Sequence, residues 1–107
     1  MMVFKKARQL AETWVECVCG EGVELVPGPT IAKPYGWVFF YQSRAYLQNP
    51  DNILNALAGN APFIIDRGTG QIIVLGTALR TEDYLERFEA SLPPARMLSE
   101  PEQPVWT

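Results

Sequence analysis

Apolar positions recur along this chain at two different periods. In residues 3–18, Phe4, Ala7, Leu10, Ala11, Trp14, Val15 and Val18 follow one another at steps of three and four, while Lys5, Arg8, Glu12 and Glu16 fall largely on other faces. That spacing predicts an amphipathic helix of about four turns, with Trp14 as a core anchor on its stripe. Gly20 and Gly22 are placed to end it, because glycine readily takes the left-handed conformation that closes a helix C-terminus. The period then drops to two. Residues 23–26 alternate as a short first strand; Pro27, Gly28 and Pro29 stop it, and residues 30–34 form an extended connection.

Residues 36–42, GWVFFYQ, carry the densest strand signal. Trp37, Phe39 and Tyr41 share one face and Val38, Phe40 and Gln42 the other, so a central strand covered on both sides is expected. Residues 43–48 either continue this strand past a bend or turn out of the sheet. Asn49-Pro50-Asp51 predicts a helix start, with Asn49 as cap and Pro50 in the first turn, where a missing amide hydrogen does no harm. Ile53, Leu54 and Leu57 would then pack on the sheet, and Gly59-Asn60 would end the helix. Residues 63–66 and 71–75 are two-sided apolar runs joined by Arg67-Gly68-Thr69-Gly70, the pattern of a β-hairpin. Asp66 suits the turn as a carboxylate acceptor, with Arg67 its exposed neighbour. Thr81 is expected to cap a last helix with Glu82 and Asp83 in its first turn. Tyr84, Leu85, Phe88 and Leu92 form its apolar stripe, and Glu82, Asp83, Glu86 and Glu89 face water.

The fold class is therefore α+β: an N-terminal helix, an antiparallel sheet of about four strands with a short inserted helix, a C-terminal helix and an extended tail. Residues 1–92 are assigned to one domain and residues 93–107 to a tail rich in proline and glutamate. That tail is too polar to order itself alone, yet Met97, Leu98, Val105 and Trp106 equip it to lie back on the domain or meet another chain.

Composition narrows the function. Of 107 residues, 48% are hydrophobic and 20% charged, with a net charge of −3, so a core is available without metals or disulfides and no basic field exists to attract nucleic acid. The first 20 residues are slightly basic, whereas residues 61–107 hold seven acidic groups against four basic ones. Cys17 and Cys19 would point about 200° apart on a continuing helix, which does not suit a disulfide. With no histidine and no second cysteine pair, neither a tetrahedral metal site nor a Ser-His or Cys-His nucleophile can be assembled, and no catalytic residue is assigned. Gly68-Thr69-Gly70 stands in a hairpin and lacks the strand-to-helix setting of a phosphate loop, so no cofactor is expected. No leader-like stretch and no apolar run near the ~20 residues of a membrane span stand out, and a soluble, cytoplasmic protein is expected.

The string YGWVFFYQSRAYL, then ALAGNAPFIIDRGTGQIIVLGTA, then TEDYLERFE, in that order and spacing over residues 3–90, resembles the immunity protein 35 family, the YrhB-like domains of bacterial polymorphic toxin systems. The resemblance implies a small α+β intracellular protein that binds a toxin encoded beside it and blocks self-intoxication, with no catalytic residues. A stoichiometric blocker needs aromatic and arginine anchors and a charged rim. Candidate contacts are Tyr41, Arg44 and Tyr46 after the central strand, Asp66 and Arg67 at the hairpin, and Glu82, Asp83 and Glu86 on the last helix. A chaperone-like holdase and a small carboxylate enzyme using Asp51 or Asp66 are the competing readings. An unpaired strand edge or the apolar end of the tail offers a homodimer contact.

Overall fold

The computed structural model describes all 107 residues and has the expected α+β order. Helix α1 (Phe4–Cys19) is followed by strands β1 (Val23–Leu25), β2 (Ile31–Lys33), β3 (Gly36–Phe39) and β4 (Tyr41–Ser43). A short helix α2 (Arg44–Gln48) and a 3-10 turn (Ile53–Asn55) lead to strands β5 (Phe63–Asp66) and β6 (Ile72–Val74). Helix α3 (Thr81–Ser91) and a second 3-10 turn (Pro94–Met97) precede the tail. The main sheet is antiparallel in the order β2-β3-β5-β6, and β1 pairs with β4 in a two-stranded ribbon. Strands β3 and β4 are one stretch broken at Phe40, whose carbonyl accepts from the Val26 amide at 2.8 Å and so ties ribbon to sheet.

Alternation along β3 and β5 builds two cores. Trp37, Phe39, Phe63 and Ile65 point to one face, where Phe4, Ala7, Ala11 and Val15 of α1 cover them. Val38 and Ile64 point to the other, where they meet Tyr35 and Leu85, with Phe88 and Leu92 of α3 packed alongside. All four residues of each central strand are buried, as two apolar faces require. The aromatic residues pack as edges and offset stacks, with Phe39 and Phe63 at 5.7 Å and Trp14 over Phe63 at 4.4 Å.

Several local expectations are corrected. Val18 lies at the end of the helical stripe but beyond the sheet, and is 60% exposed. Within the extended connection expected over residues 30–34, residues 31–33 are a strand of the sheet, because Pro34-Tyr35 is a two-residue turn that pairs Lys33 with Gly36. No helix starts at Asn49. Instead α2 starts earlier, with Ser43 as cap, its side chain accepting from the Tyr46 amide, and Asn49 is its C-cap. Ile53 and Leu54 consequently face solvent, and of the predicted trio only Leu57 packs on the α1-side core. Strand β6 is an edge, with Val74 53% exposed, yet both of its faces pack: Ile72 on the α1-side core, and Ile73 with Leu75 just beyond the strand on the α3-side core. Thr81 is the first residue of α3 rather than its cap; the N-cap is Arg80, which makes no side-chain cap bond. The Tyr84 hydroxyl instead ties the preceding loop to α3, accepting from the amides of Ala78 and Leu79 at 3.1 and 3.2 Å. Glu89 does not face water: its carboxylate accepts from the Tyr35 hydroxyl at 2.8 Å and pairs with Lys33 at 3.0 Å.

Gly36 marks the tightest backbone approach in the sheet, since a Cβ there would enter the contact radius of the Ile65 carbonyl oxygen, whereas one at Gly28 would meet open space. Gly36→Ala is expected to destabilise the fold by about 1–3 kcal/mol or more. Gly28→Ala should leave the urea midpoint nearly unchanged, and equilibrium unfolding of the two variants checks the contrast.

Candidate functional site

The predicted site residues fall into three groups. Tyr41 belongs to the core of the α1 layer, 8% exposed, edge-on to Trp14 at 6.0 Å. Burial, and secondarily charge at Cys19, push its phenol ionisation upward. Cys17 and Cys19 themselves remain free thiols on a helix that runs through both.

Asp66 and Arg67 form a buried polar corner at the end of β5, with exposures of 4% and 9%; the exposed position expected for Arg67 is therefore corrected. The Asp66 carboxylate accepts from the amides of Gly68 and Thr69 at 2.8 and 3.1 Å, which stabilises the hairpin turn, and pairs with Arg96 at 2.7 Å. Burial alone would raise its pKa, but the Arg96 bond and the two amides outweigh that and hold it below the ordinary aspartate range. Arg67 turns the opposite way. Its guanidinium donates to the Glu100 carbonyl at 3.0 Å, approaches Glu102 at 3.8 Å and lies 5.3 Å from the centre of the Trp37 ring. Both charges are consumed internally.

Arg44 and Tyr46 sit on α2, within an insert spanning residues 44–60. Side chains of β4 anchor this insert. The Gln42 side-chain oxygen accepts from the Leu57 amide at 2.7 Å, the Ser43 hydroxyl donates to the Asn55 carbonyl, and Asn60 donates to the Tyr41 carbonyl at 2.9 Å. Asn52 caps the 3-10 turn through the Leu54 amide at 3.2 Å. On this fixed backbone Leu47, Ile53 and Leu54 stand 36%, 76% and 91% exposed. No feature of sequence separates these leucines and this isoleucine from core residues; only their backbone anchors reveal their direction. Arg44 pairs with Glu24 at 3.2 Å beside a cleft of about 470 Å³ that also presents Glu12, Glu16 and Glu21.

Glu82, Asp83 and Glu86 occupy α3, on the opposite side of the sheet from α1. Asp83 bonds Arg80 at 3.4 Å, and that hydrogen bond lowers its pKa. Arg44 and Tyr46 thus share α2, Asp66 sits beside Arg67 in the interior, and the α3 carboxylates lie on a separate layer.

Residues 5–91, most of the chain and all of the layered fold, match the family of immunity protein 35. The chain belongs to this family. Membership supports an immunity function in general, and immunity proteins are generally not enzymes. An Escherichia coli K12 protein described as uncharacterized protein YrhB is 48% identical over 54 residues, half of this chain and 56% of that protein's length. The chain thus spans little more than half of that relative. No solved structure matches. No helix of this immunity family member is long and apolar enough to cross a membrane.

Since the folded pKa of Asp66 is depressed, its stabilising contribution is complete above the unfolded value of about 3.9 and is lost as pH falls through the folded value. Asp66→Asn is expected to cost about 1–3 kcal/mol at neutral pH. It should also flatten the acid-side fall in stability below about pH 4, as urea midpoints measured across pH 2–6 will show.

Proposed function

We propose that this protein neutralises a cognate bacterial toxin in the cytoplasm by binding it stoichiometrically, and that the α2 insert is the contact surface. The observation that carries the surface is the pairing of high exposure with a fixed backbone at Ile53 and Leu54. Exposed apolar side chains on an anchored turn lose little entropy on docking, and a cluster of them marks interaction surfaces. Arg44 and Tyr46, on α2 at the start of the same insert, are of residue types enriched at binding hot spots. Tyr41 is buried in the frame just before the insert, whereas Asp66 and Arg67 close the far end of β5 and serve the fold. Glu82, Asp83 and Glu86 add to the acidic field that steers a basic partner during encounter. Family membership supports a toxin as the partner, and the proposed activity is binding without turnover.

The same exposed apolar trio also suits a holdase that binds unfolded clients weakly, and the two readings differ in stoichiometry. Co-expression with the neighbouring toxin reading frame is expected to yield one complex of fixed stoichiometry and to restore growth. Leu54→Asp combined with Ile53→Ser should lower affinity at least tenfold, which is about 1.4 kcal/mol, while leaving the unfolding midpoint within about 0.5 kcal/mol of the parent. Undiminished affinity in that variant removes the surface assignment. Failure of the parent to bind, with suppressed aggregation of unrelated proteins, favours the holdase.

A further inference from the structure

The C-terminal segment lies outside the stretch that matches the family, yet it is seated on residues inside it. Residues 99–107 make no main-chain to main-chain hydrogen bond at all. They are held as a bound peptide is held, by side chains of the domain reaching for their carbonyls. Trp37 Nε1 donates to the Glu102 carbonyl at 2.7 Å, Arg67 to the Glu100 carbonyl at 3.0 Å, and Arg8 to the Trp106 carbonyl at 2.6 Å. The Glu102 carboxylate accepts from the Phe4 amide at 3.1 Å, at the positive end of a helix whose own N-cap, Val3, offers no side-chain bond. Trp106 closes the row, edge-on to Phe4 at 5.3 Å and beneath Arg8 at 4.8 Å.

Two prolines, Pro101 and Pro104, bias this segment toward an extended, low-entropy backbone, and an aromatic groove lined with donors is how proteins receive such peptides. Charge is complementary, with two arginines and a helix N-terminus on the groove against glutamate on the segment. We propose that Phe4, Arg8, Trp37 and Arg67 form a recognition groove for an extended acidic, proline-containing peptide that ends in tryptophan. In the single chain residues 100–106 fill it; in a dimer the same residues of a second copy do.

Two features make exchange accessible. The last main-chain bond before the segment joins the Leu98 amide to the Ala95 carbonyl, and the first groove contact is at Glu100, so one residue, Ser99, carries the crossing. Short hinge loops invite swapping. Moreover Arg67 Nε and Trp106 Nε1, the two buried side-chain polar atoms without a hydrogen-bond partner, both lie in this contact, so the seat is not optimised. A tethered segment acts at an effective concentration of roughly millimolar, so the closed monomer prevails when dilute and exchange grows as the protein approaches that range.

The test uses the full chain. A synthetic peptide of residues 100–107 is titrated into protein labelled with ¹⁵N at its tryptophan indoles. At roughly millimolar peptide the Trp106 signal of the protein should be half shifted to its free-peptide position. A peptide with alanine in place of the tryptophan should give at least a tenfold weaker response. In parallel, deletion of Ser99 shortens the hinge by about 3.5 Å. Light scattering should then report a dimer, which Arg67→Ala returns to a monomer. An unmoved Trp106 signal at saturating peptide, or a folded monomeric Ser99-deleted chain, overturns the proposal. If the shortened chain does not fold, the peptide titration on the parent decides alone.

Discussion

The pairing of β3 with β5 is the constraint on which the rest of the molecule depends. Each of these four-residue strands is buried on both faces, so every side chain must be apolar or internally partnered, and each face needs its own cover. Helix α1 supplies one cover and α3 the other. The close approach at Gly36 sets how near the two strands lie at one end, and the Asp66-Arg67 corner closes that same end, where Gly36 pairs with Asp66. Burying two adjacent charges would be costly if either lacked a partner. Here each is directed to a different layer: Asp66 holds Arg96, which follows α3, and Arg67 holds the segment lying on α1. The corner thus carries the chain from one core to the other.

Tyr35 makes the corresponding connection at the α3 layer. Fully buried, it donates to Glu89; burial first and that bond second push its phenol ionisation far above the ordinary range. With Lys33 on the same carboxylate, the β2–β3 turn is fastened to α3 by polar contacts as well as by Phe88, which packs on Tyr35 at 5.1 Å. A frame fastened in this way on both faces can present the α2 insert as a fixed shape rather than an adaptable one.

What could be read in advance follows from how local each signal is. The central strand, the 63–75 hairpin and both long helices announce themselves through dense periodic runs, and the turn role of Asp66 follows from its place before Gly68 and Thr69. Strand β2 is hidden because Ile31–Lys33, three of the four residues between Pro29 and Pro34, are too few to show a period. The direction of Ile53 and Leu54 was misjudged because hydrophobicity does not say which way a three-residue turn faces. The seat of the tail was invisible for another reason: its bonds join residues 98 and 65 positions apart, and no local pattern encodes such a contact. Of the candidate contacts, Arg67 lies deeper than a hairpin arginine suggests, and Tyr41 belongs to the core.

One further consequence concerns the two ends of the chain. The Met2 amide donates to Arg67, the Phe4 amide to Glu102, and Arg8 reaches Trp106, so the first and last residues run side by side over the same patch. Joining them through a brief linker and opening the backbone in the 49–60 loop would yield a circularly permuted molecule with the same layers. Affinity handles fused at either end, by the same geometry, would crowd a single location and leave the opposite side of the sheet clear.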